Sequence, residues 1–255
     1  MKTTARYLFI FTIILLLISC AGGSKTEKKE KAQKETAVTV EEHFQLAYSA
    51  AERGNLQEAV AEYEKVLKLD SKNAKAHLNL GIVYGRQEKW KKEISEYEKA
   101  IRIDPNFAEA HFNLGVAYQG RGKRKEAAAQ YQKTLQIYPN YVEAHTNLGI
   151  IYFKQGMFDQ ALAEYQKAIE IKPDYAKGYY NIGSVYRQKK KLEEAITSFE
   201  KALEIDPKYA EAHYALAVIY YEKQEFKLVI EHLDQAGKLG MVVDPKLLER
   251  LKVYR

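Results

Sequence analysis

The chain repeats itself every 34 residues, and this period limits its possible folds more than any other feature. Four prolines and four glycines keep the spacing: Pro105, Pro139, Pro173 and Pro207, with Gly81, Gly115, Gly149 and Gly183. A fixed period of this length indicates an array of similar units and not a single globule. Since arrays present extended surfaces, the period also favours a binding function.

Each unit contains the pattern of two helices separated by a turn. In the third unit, apolar and small residues follow helical spacing twice, in a first stripe of His111, Leu114, Gly115 and Tyr118 and a second of Ala127, Tyr131, Thr134 and Leu135. Tyr138 then precedes Pro139, a position that disfavours helix and closes the unit. Because glycine inside a helix costs roughly 0.5–1 kcal/mol relative to alanine, its recurrence predicts a close approach of the two helices.

These residues resemble the tetratricopeptide repeat. One unit supplies Leu80, Gly81, Tyr84, Tyr97, Ala100 and Pro105; others supply Leu148, Gly149, Tyr152, Ala161, Tyr165, Ala168 and Pro173, and Ile182, Gly183, Tyr186, Ala195, Phe199, Ala202 and Pro207. The resemblance implies an all-α, right-handed superhelical solenoid whose first helices line a concave groove. About six helix pairs are expected in residues 40–243, with units near 40–73, 74–107, 108–141, 142–175, 176–209 and 210–243. A capping helix is expected in 244–255.

The N-terminus has the three-part form of a secretory signal. Lys2 and Arg6 precede an apolar run over 8–18, which is too short for the roughly 20 residues of a membrane span. Leu17 to Cys20 resembles a bacterial lipobox, which implies a signal peptide over 1–19 and a lipoprotein acylated at Cys20 with chains such as palmitate. Two or three chains anchor a protein firmly. An uncleaved anchor and a plain secreted protein are the alternatives.

The resemblance places the protein in a bacterial cell envelope, attached to a membrane by lipid. If the source is Gram-negative, Ala21 after the cysteine favours the periplasmic face of the outer membrane. Residues 20–39 contain few large apolar side chains and are expected to form a flexible, charged linker.

Charge and motifs exclude several functions. The net charge of +6 is concentrated before residue 41, since residues 41–255 hold 33 basic and 31 acidic side chains. This balance argues against a nucleic-acid partner. No catalytic or phosphate-binding motif is present, so we expect no enzyme and no cofactor.

Histidine recurs at one repeat position, as His43, His77, His111, His145 and His213, with Tyr179 in the fifth unit. Neighbouring repeats lie about 10 Å apart, whereas a metal needs ligands about 2 Å from one centre. We therefore interpret these histidines as packing residues and expect no metal.

The face opposite the packed stripe is the candidate partner-binding groove. It carries an apolar ribbon of Tyr48, Ile82, Val116, Ile150 and Val218, and an asparagine ladder of Asn79, Asn113, Asn147 and Asn181. The cations Lys75, Arg86 and Lys177 lie beside them. Asparagine amides both donate and accept, as an extended peptide backbone requires. Alternatively, the ribbon packs between first helices and the asparagines are only typical of the family.

The sequence thus predicts a non-enzymatic, membrane-anchored scaffold for protein–protein interactions that binds partner peptides in its groove. Its layout resembles the pilot lipoproteins of type IV pilus secretins and the adaptors of cell-wall hydrolases. The alternative is a module that binds or senses a small molecule or glycan through Phe112, Tyr180 and Tyr214.

Overall fold

The computed structural model describes residues 25–254, with side chains from residue 39 onward. The leader, the lipobox and Cys20 lie outside the described residues. The chain forms two compact units, of which one ends at Pro105 and the other begins at Asn106. Within the described range, the regular secondary structure consists of thirteen α-helices and one short 3-10 helix.

The first unit contains two helix pairs. Its helices are α1 (Lys25–Glu52), α2 (Leu56–Leu69), α3 (Ala74–Arg86) and α4 (Trp90–Ile103). Each helix packs against the next, and α1 also contacts α3. Tyr63 and Val66 of α2 are almost fully buried against Leu80 and Val83 of α3. The core is therefore shared between consecutive pairs, as the repeat pattern predicts.

Helix α1 begins at Lys25, so residues 25–39 of the segment expected to be a flexible linker over 20–39 are helical. The segment consists mainly of Lys, Glu, Gln, Ala and Thr. Most of these residues have high intrinsic helix propensity. Residues 25–39 also run without a proline or glycine into the packed part of α1, which supplies a helix that is already nucleated.

The second unit contains four helix pairs and a terminal helix. The helices are α5 (Ala108–Gly120), α6 (Arg124–Ile137), α7 (Val142–Lys154), α8 (Phe158–Ile171), α9 (Ala176–Gln188), α10 (Leu192–Ile205), α11 (Ala210–Glu222), α12 (Phe226–Lys238) and α13 (Pro245–Leu251). Each packs against the next, which gives a solenoid of consecutive helix pairs. We call the odd-numbered helices α1 to α11 first helices and the even-numbered ones second helices.

Helix α13 closes the second unit. Its N-cap is Asp244, whose carboxylate accepts a hydrogen bond from the Lys246 amide at 2.9 Å, and Pro245 occupies the favoured first position. Leu251 is buried in the last core cluster. The 3-10 helix Lys252–Tyr254 follows, and the Tyr254 ring stacks on Phe226 with centroids 4.2 Å apart.

The turn inside every helix pair holds one residue in the left-handed backbone region. Three repeats place glycine there, and three place an ordinary residue: Gly54, Gly122 and Gly156, then Glu88, Lys190 and Gln224. These six positions also follow the 34-residue period. The position is thus set by the geometry of the turn and not by the residue, although a non-glycine side chain costs roughly 1–2 kcal/mol there.

The helical glycines lie directly against the aromatic rings of the following helix. A Cβ atom added at Gly81, Gly115, Gly149 or Gly183 would lie 2.6 or 2.7 Å from a ring atom of Tyr97, Tyr131, Tyr165 or Phe199. These rings are buried. The steric reason predicted for the glycine period is therefore confirmed. In the sixth repeat, Ala217 replaces the glycine and Leu233 replaces the aromatic residue. The larger alanine is thus matched by a smaller side chain on the facing helix.

Substituting one of these glycines should destabilise the array. The Cβ of Gly149→Ala would lie 2.6 Å from the Tyr165 ring, which is only 2% exposed and has no space to move. We expect a loss of about 1–3 kcal/mol in the free energy of unfolding, measured by urea denaturation. Gly120→Ala is the matched control, because it is helical and has no atom within 4 Å of the added Cβ. Equal stability of the two variants would contradict the steric explanation.

Candidate partner-binding surface

In the first unit, the predicted surface residues differ in their surroundings. Lys75 is exposed and makes no ion pair among the described residues. Asn79 and Ile82 are half-buried. Arg86 donates from Nη1 to the Ala51 carbonyl at 2.7 Å, and that carbonyl also accepts from the Gly54 amide at 3.0 Å. Arg86 is exposed, and its place in the partner-binding groove stays a prediction.

The apolar ribbon is exposed at two positions and half-buried at three. Tyr48 is 51% and Val116 43% exposed, whereas Ile82, Ile150 and Val218 are partly covered. Ile150 packs against the core cluster that contains Tyr165 and Val185. The ribbon therefore serves both packing and surface, and neither of the two interpretations of the sequence describes all five positions.

The asparagine ladder in the second unit is not uniform. Asn113 donates from Nδ2 to the Glu109 carbonyl of its own helix at 3.0 Å. Asn147 donates to the Tyr131 hydroxyl at 3.3 Å, and that hydroxyl donates to Gln119 Oε1 at 3.0 Å. Burial raises the pKa of Tyr131, which keeps its phenol protonated as a donor. Asn147 therefore has a structural role that the sequence pattern did not reveal.

Asn181 differs again, since its Nδ2 atom is buried and has no hydrogen-bond partner in the described part of the chain. An unsatisfied buried amide costs of the order of 1–3 kcal/mol. Lys177, one turn before it on α9, is exposed and has no ion pair there. Among the ladder asparagines of this unit, Asn113 and Asn181 are thus the two that make no side-chain hydrogen bond to another helix in the described residues.

Two of the three aromatic residues of the small-molecule alternative are packing residues. The Phe112 ring stacks on Tyr141 with centroids 4.8 Å apart. Tyr180 contacts Phe199 and Tyr209 at 5.5 and 5.1 Å. Tyr214 is 39% exposed and remains accessible. No row of open aromatic rings is formed by these residues.

The recurring histidines pair with the residue nineteen positions later, on the second helix of the same repeat. His43, His77 and His145 each place Nδ1 2.6 Å from a glutamate oxygen, of Glu62, Glu96 and Glu164 respectively. His111 pairs with Gln130 at 2.7 Å, and His213 with His232 at 3.0 Å. No group of three metal-ligating side chains occurs among the described residues. These contacts assign the histidines to packing within each helix pair.

His145 shows what this pairing does to a titrating group. Burial lowers the pKa of His145, but hydrogen bonds to Glu164 and to the Pro139 carbonyl outweigh burial and raise it above 6.5. The Pro139 carbonyl lies 2.9 Å from Nε2 and Glu164 faces Nδ1, so both nitrogens must donate. The geometry therefore favours the protonated imidazolium.

Replacing Glu164 with Gln should change stability in a pH-dependent way. The contribution of a histidine with a raised pKa is complete below its unfolded pKa and is lost as pH rises through the folded pKa. We expect Glu164→Gln to cost about 1–2 kcal/mol near pH 6 and much less near pH 9, by denaturant unfolding. At high pH a glutamine side-chain amide can donate to Nδ1 of neutral His145.

Glu170→Gln, which changes an exposed carboxylate on the same helix, is the control for net charge. A cost for Glu164→Gln that is the same at both pH values would rule out the ionic pairing of His145.

Taken together, these contacts define a helical-repeat protein in which the recurring glycines, tyrosines and histidines serve packing and the first helices carry the candidate surface. Within the described residues, no helix is both long and apolar enough to cross a bilayer. The family model described as TPR repeat matches residues 48–88, 86–122, 120–156, 151–189 and 183–224. The chain belongs to the tetratricopeptide repeat family, and this fold is a scaffold for protein–protein interactions.

Solved structures agree with this assignment. A structure of MamA protein is 31% identical, with a TM-score of 0.60, and covers 68% of this chain and 94% of its own. YrrB, described as a TPR protein with an unusual peptide-binding site, is 29% identical, with a TM-score of 0.58, covering 68% and 89%. The search of curated proteins found no match.

The predicted resemblance to pilus-related proteins of this family is confirmed at the level of the fold. PilW, described as a widely conserved type IV pilus biogenesis factor, is 24% identical with a TM-score of 0.70 and covers 84% of this chain and 98% of its own. PilF from Pseudomonas aeruginosa is 20% identical with a TM-score of 0.68, covering 87% and 95%.

Proposed function

We propose that the protein binds an extended peptide segment of a partner protein along the first helices of its second unit. The observation that carries the proposal is the combination of an exposed apolar position, Val116, with Asn113 and Asn181, whose amides make no hydrogen bond to another helix in the described residues. An extended backbone offers both donors and acceptors, and an asparagine amide complements both. The peptide-binding site named for YrrB supports a peptide as the ligand.

Lys177 favours an acidic group in the part of the partner segment that lies beside α9, whereas Glu109, Glu143 and Glu211 hold the same repeat position on α5, α7 and α11. Lys177 is exposed, without an ion pair in the described residues, and belongs to the helix that holds Asn181. Its contribution to affinity should be small and sensitive to salt, because exposed ion pairs contribute about 0–1 kcal/mol.

Removing the Asn113 and Asn181 side-chain amides should weaken partner capture and leave the fold intact. We expect Asn113→Ala with Asn181→Ala to lower the affinity for a partner roughly thirtyfold, because each of the two lost hydrogen bonds contributes about 1 kcal/mol. The partner is recovered by crosslinking in the host and identified by mass spectrometry, and its affinity is then measured with the purified protein.

The matched control removes the exposed amides of Gln136 and Gln166 on second helices α6 and α8. Asn147→Ala is made separately, because loss of its bond to Tyr131 should reduce thermal stability. If the double variant captures its partner as well as the unchanged protein does, peptide binding by the asparagines is wrong.

We further propose that the scaffold is lipid-anchored at Cys20 in a bacterial envelope, on the periplasmic face of the outer membrane if the source is Gram-negative. The support is the leader sequence, in which a short apolar run ends at Leu17-Ile18-Ser19-Cys20. Helix α1 then begins five residues after the cysteine. In this arrangement the array would be held near the bilayer by a short segment and a helix.

Acylation of Cys20 is testable by metabolic labelling with an alkyne fatty acid. We expect the unchanged protein to incorporate the label and to fractionate with envelope membranes. Cys20→Ala should lose the label, because the thiol that forms the thioether is absent. Ser19→Ala is the control, since it alters the neighbouring residue and keeps the thiol. Equal labelling of the cysteine and alanine proteins would disprove the anchor.

A further inference from the structure

An open cavity lies at the C-terminal end of the second unit, between helices α11, α12 and α13. Its volume is about 290 Å³, and Val218, Val229, Leu233 and Leu247 supply its apolar lining. This volume is at the lower end of the roughly 300–1,000 Å³ typical of small-molecule sites. The cavity therefore has room for one large side chain and not for an extended ligand.

The cavity follows from the length of the terminal helix. In the interior of the array, the next first helix of thirteen residues follows each pair. Helix α13 follows the last pair and has seven residues. At 1.5 Å per residue it extends about 10 Å against about 20 Å for a first helix. Part of the apolar surface of α11 and α12 is therefore left uncovered.

Polar and aromatic groups surround the opening. Tyr214 and Tyr221 lie two helical turns apart on one face of α11, and they are 39% and 44% exposed. Glu222 and Arg250 also line the cavity, and neither makes an ion pair or a side-chain hydrogen bond in the described part of the chain. One acceptor and one donor of hydrogen bonds thus stand beside an apolar floor.

We propose that this end cavity binds one large apolar side chain, such as phenylalanine or leucine, from an extended peptide segment of a protein partner. Glu222 accepts from a backbone N–H of the bound segment, and Arg250 donates to a backbone carbonyl. The proposal rests on the proposed function and names the chemistry of the partner. Val218 connects the cavity with the proposed groove, because it belongs to the apolar ribbon and also lines the cavity.

A peptide fits this site better than a free amino acid. The cavity continues the apolar ribbon through Val218, along which the partner segment is proposed to lie, and a free amino acid would leave the ribbon uncovered. A neutral peptide unit needs one acceptor and one donor beside its side chain, and the site offers one of each. The apolar floor then supplies most of the affinity.

The probe is N-acetyl-4-fluoro-L-phenylalaninamide, a single residue with a neutral backbone on both sides. Its fluorine NMR signal is recorded with the full chain in lipid nanodiscs, and empty nanodiscs are the blank. We expect broadening and a shift that saturate with a dissociation constant on the order of 1 mM, as is usual for a ligand of this size. N-acetyl-L-alaninamide should compete at least tenfold more weakly.

Filling the cavity provides a test that does not depend on loss of the fold. Val218→Trp should occupy the space and abolish probe binding. Val116→Trp is the matched control, since it is the same repeat position three repeats earlier and does not line the cavity. Thermal unfolding of both variants is measured in parallel. Unchanged probe binding in Val218→Trp, or equal loss in Val116→Trp, overturns the assignment.

The remaining outcomes separate this site from the proposed groove. Stronger binding of free 4-fluoro-phenylalanine than of the blocked probe would overturn the peptide assignment in favour of an amino-acid site. Probe binding that survives in the variant lacking the Asn113 and Asn181 amides, combined with unchanged partner capture by that variant, would reject the groove and keep the cavity. Partner capture that depends on the amides but not on Val218 would reject the cavity as an anchor.

Discussion

The contact between a helical glycine and an aromatic ring determines the spacing of the helices within each of the four interior repeats. At Gly81, Gly115, Gly149 and Gly183, the ring of the following helix occupies the volume that a methyl group would need. Each contact allows the two helix backbones to approach closely and also buries a large aromatic ring. The recurring alanines and the histidine pairs nineteen residues apart lie around this contact, so their positions repeat with it.

This constraint separates two kinds of residue. Those that maintain the close approach recur in the four interior repeats and are buried, as Tyr131 and Tyr165 show. Val116, which does not maintain it, is exposed on a first helix, and Asn113 on the same helix is half-buried. A repeat protein can therefore change its ligand without changing its fold, because the two tasks fall on different residues.

The sequence predicted the helix pairs, the steric role of glycine and the terminal helix, since these depend on local periodicity. It did not predict the partners of Arg86 and Asn147, because Ala51 and Tyr131 lie on other helices and no pattern relates them. The left-handed turn position was missed at Glu88, Lys190 and Gln224, where no glycine marks it. The segment 20–39 is predicted to be flexible because it lacks large apolar residues. That criterion does not detect the helix from residue 25, which is continuous with the packed part of α1.

The seven-residue terminal helix has a consequence for how such a chain can change in length over evolution. It substitutes for the next first helix and packs against the last pair, so this packing does not depend on how many pairs precede it. Duplication of one 34-residue segment of the gene would therefore insert a complete repeat and leave both ends of the array with their original neighbours. Gene duplication can therefore lengthen this array by one whole repeat at a time.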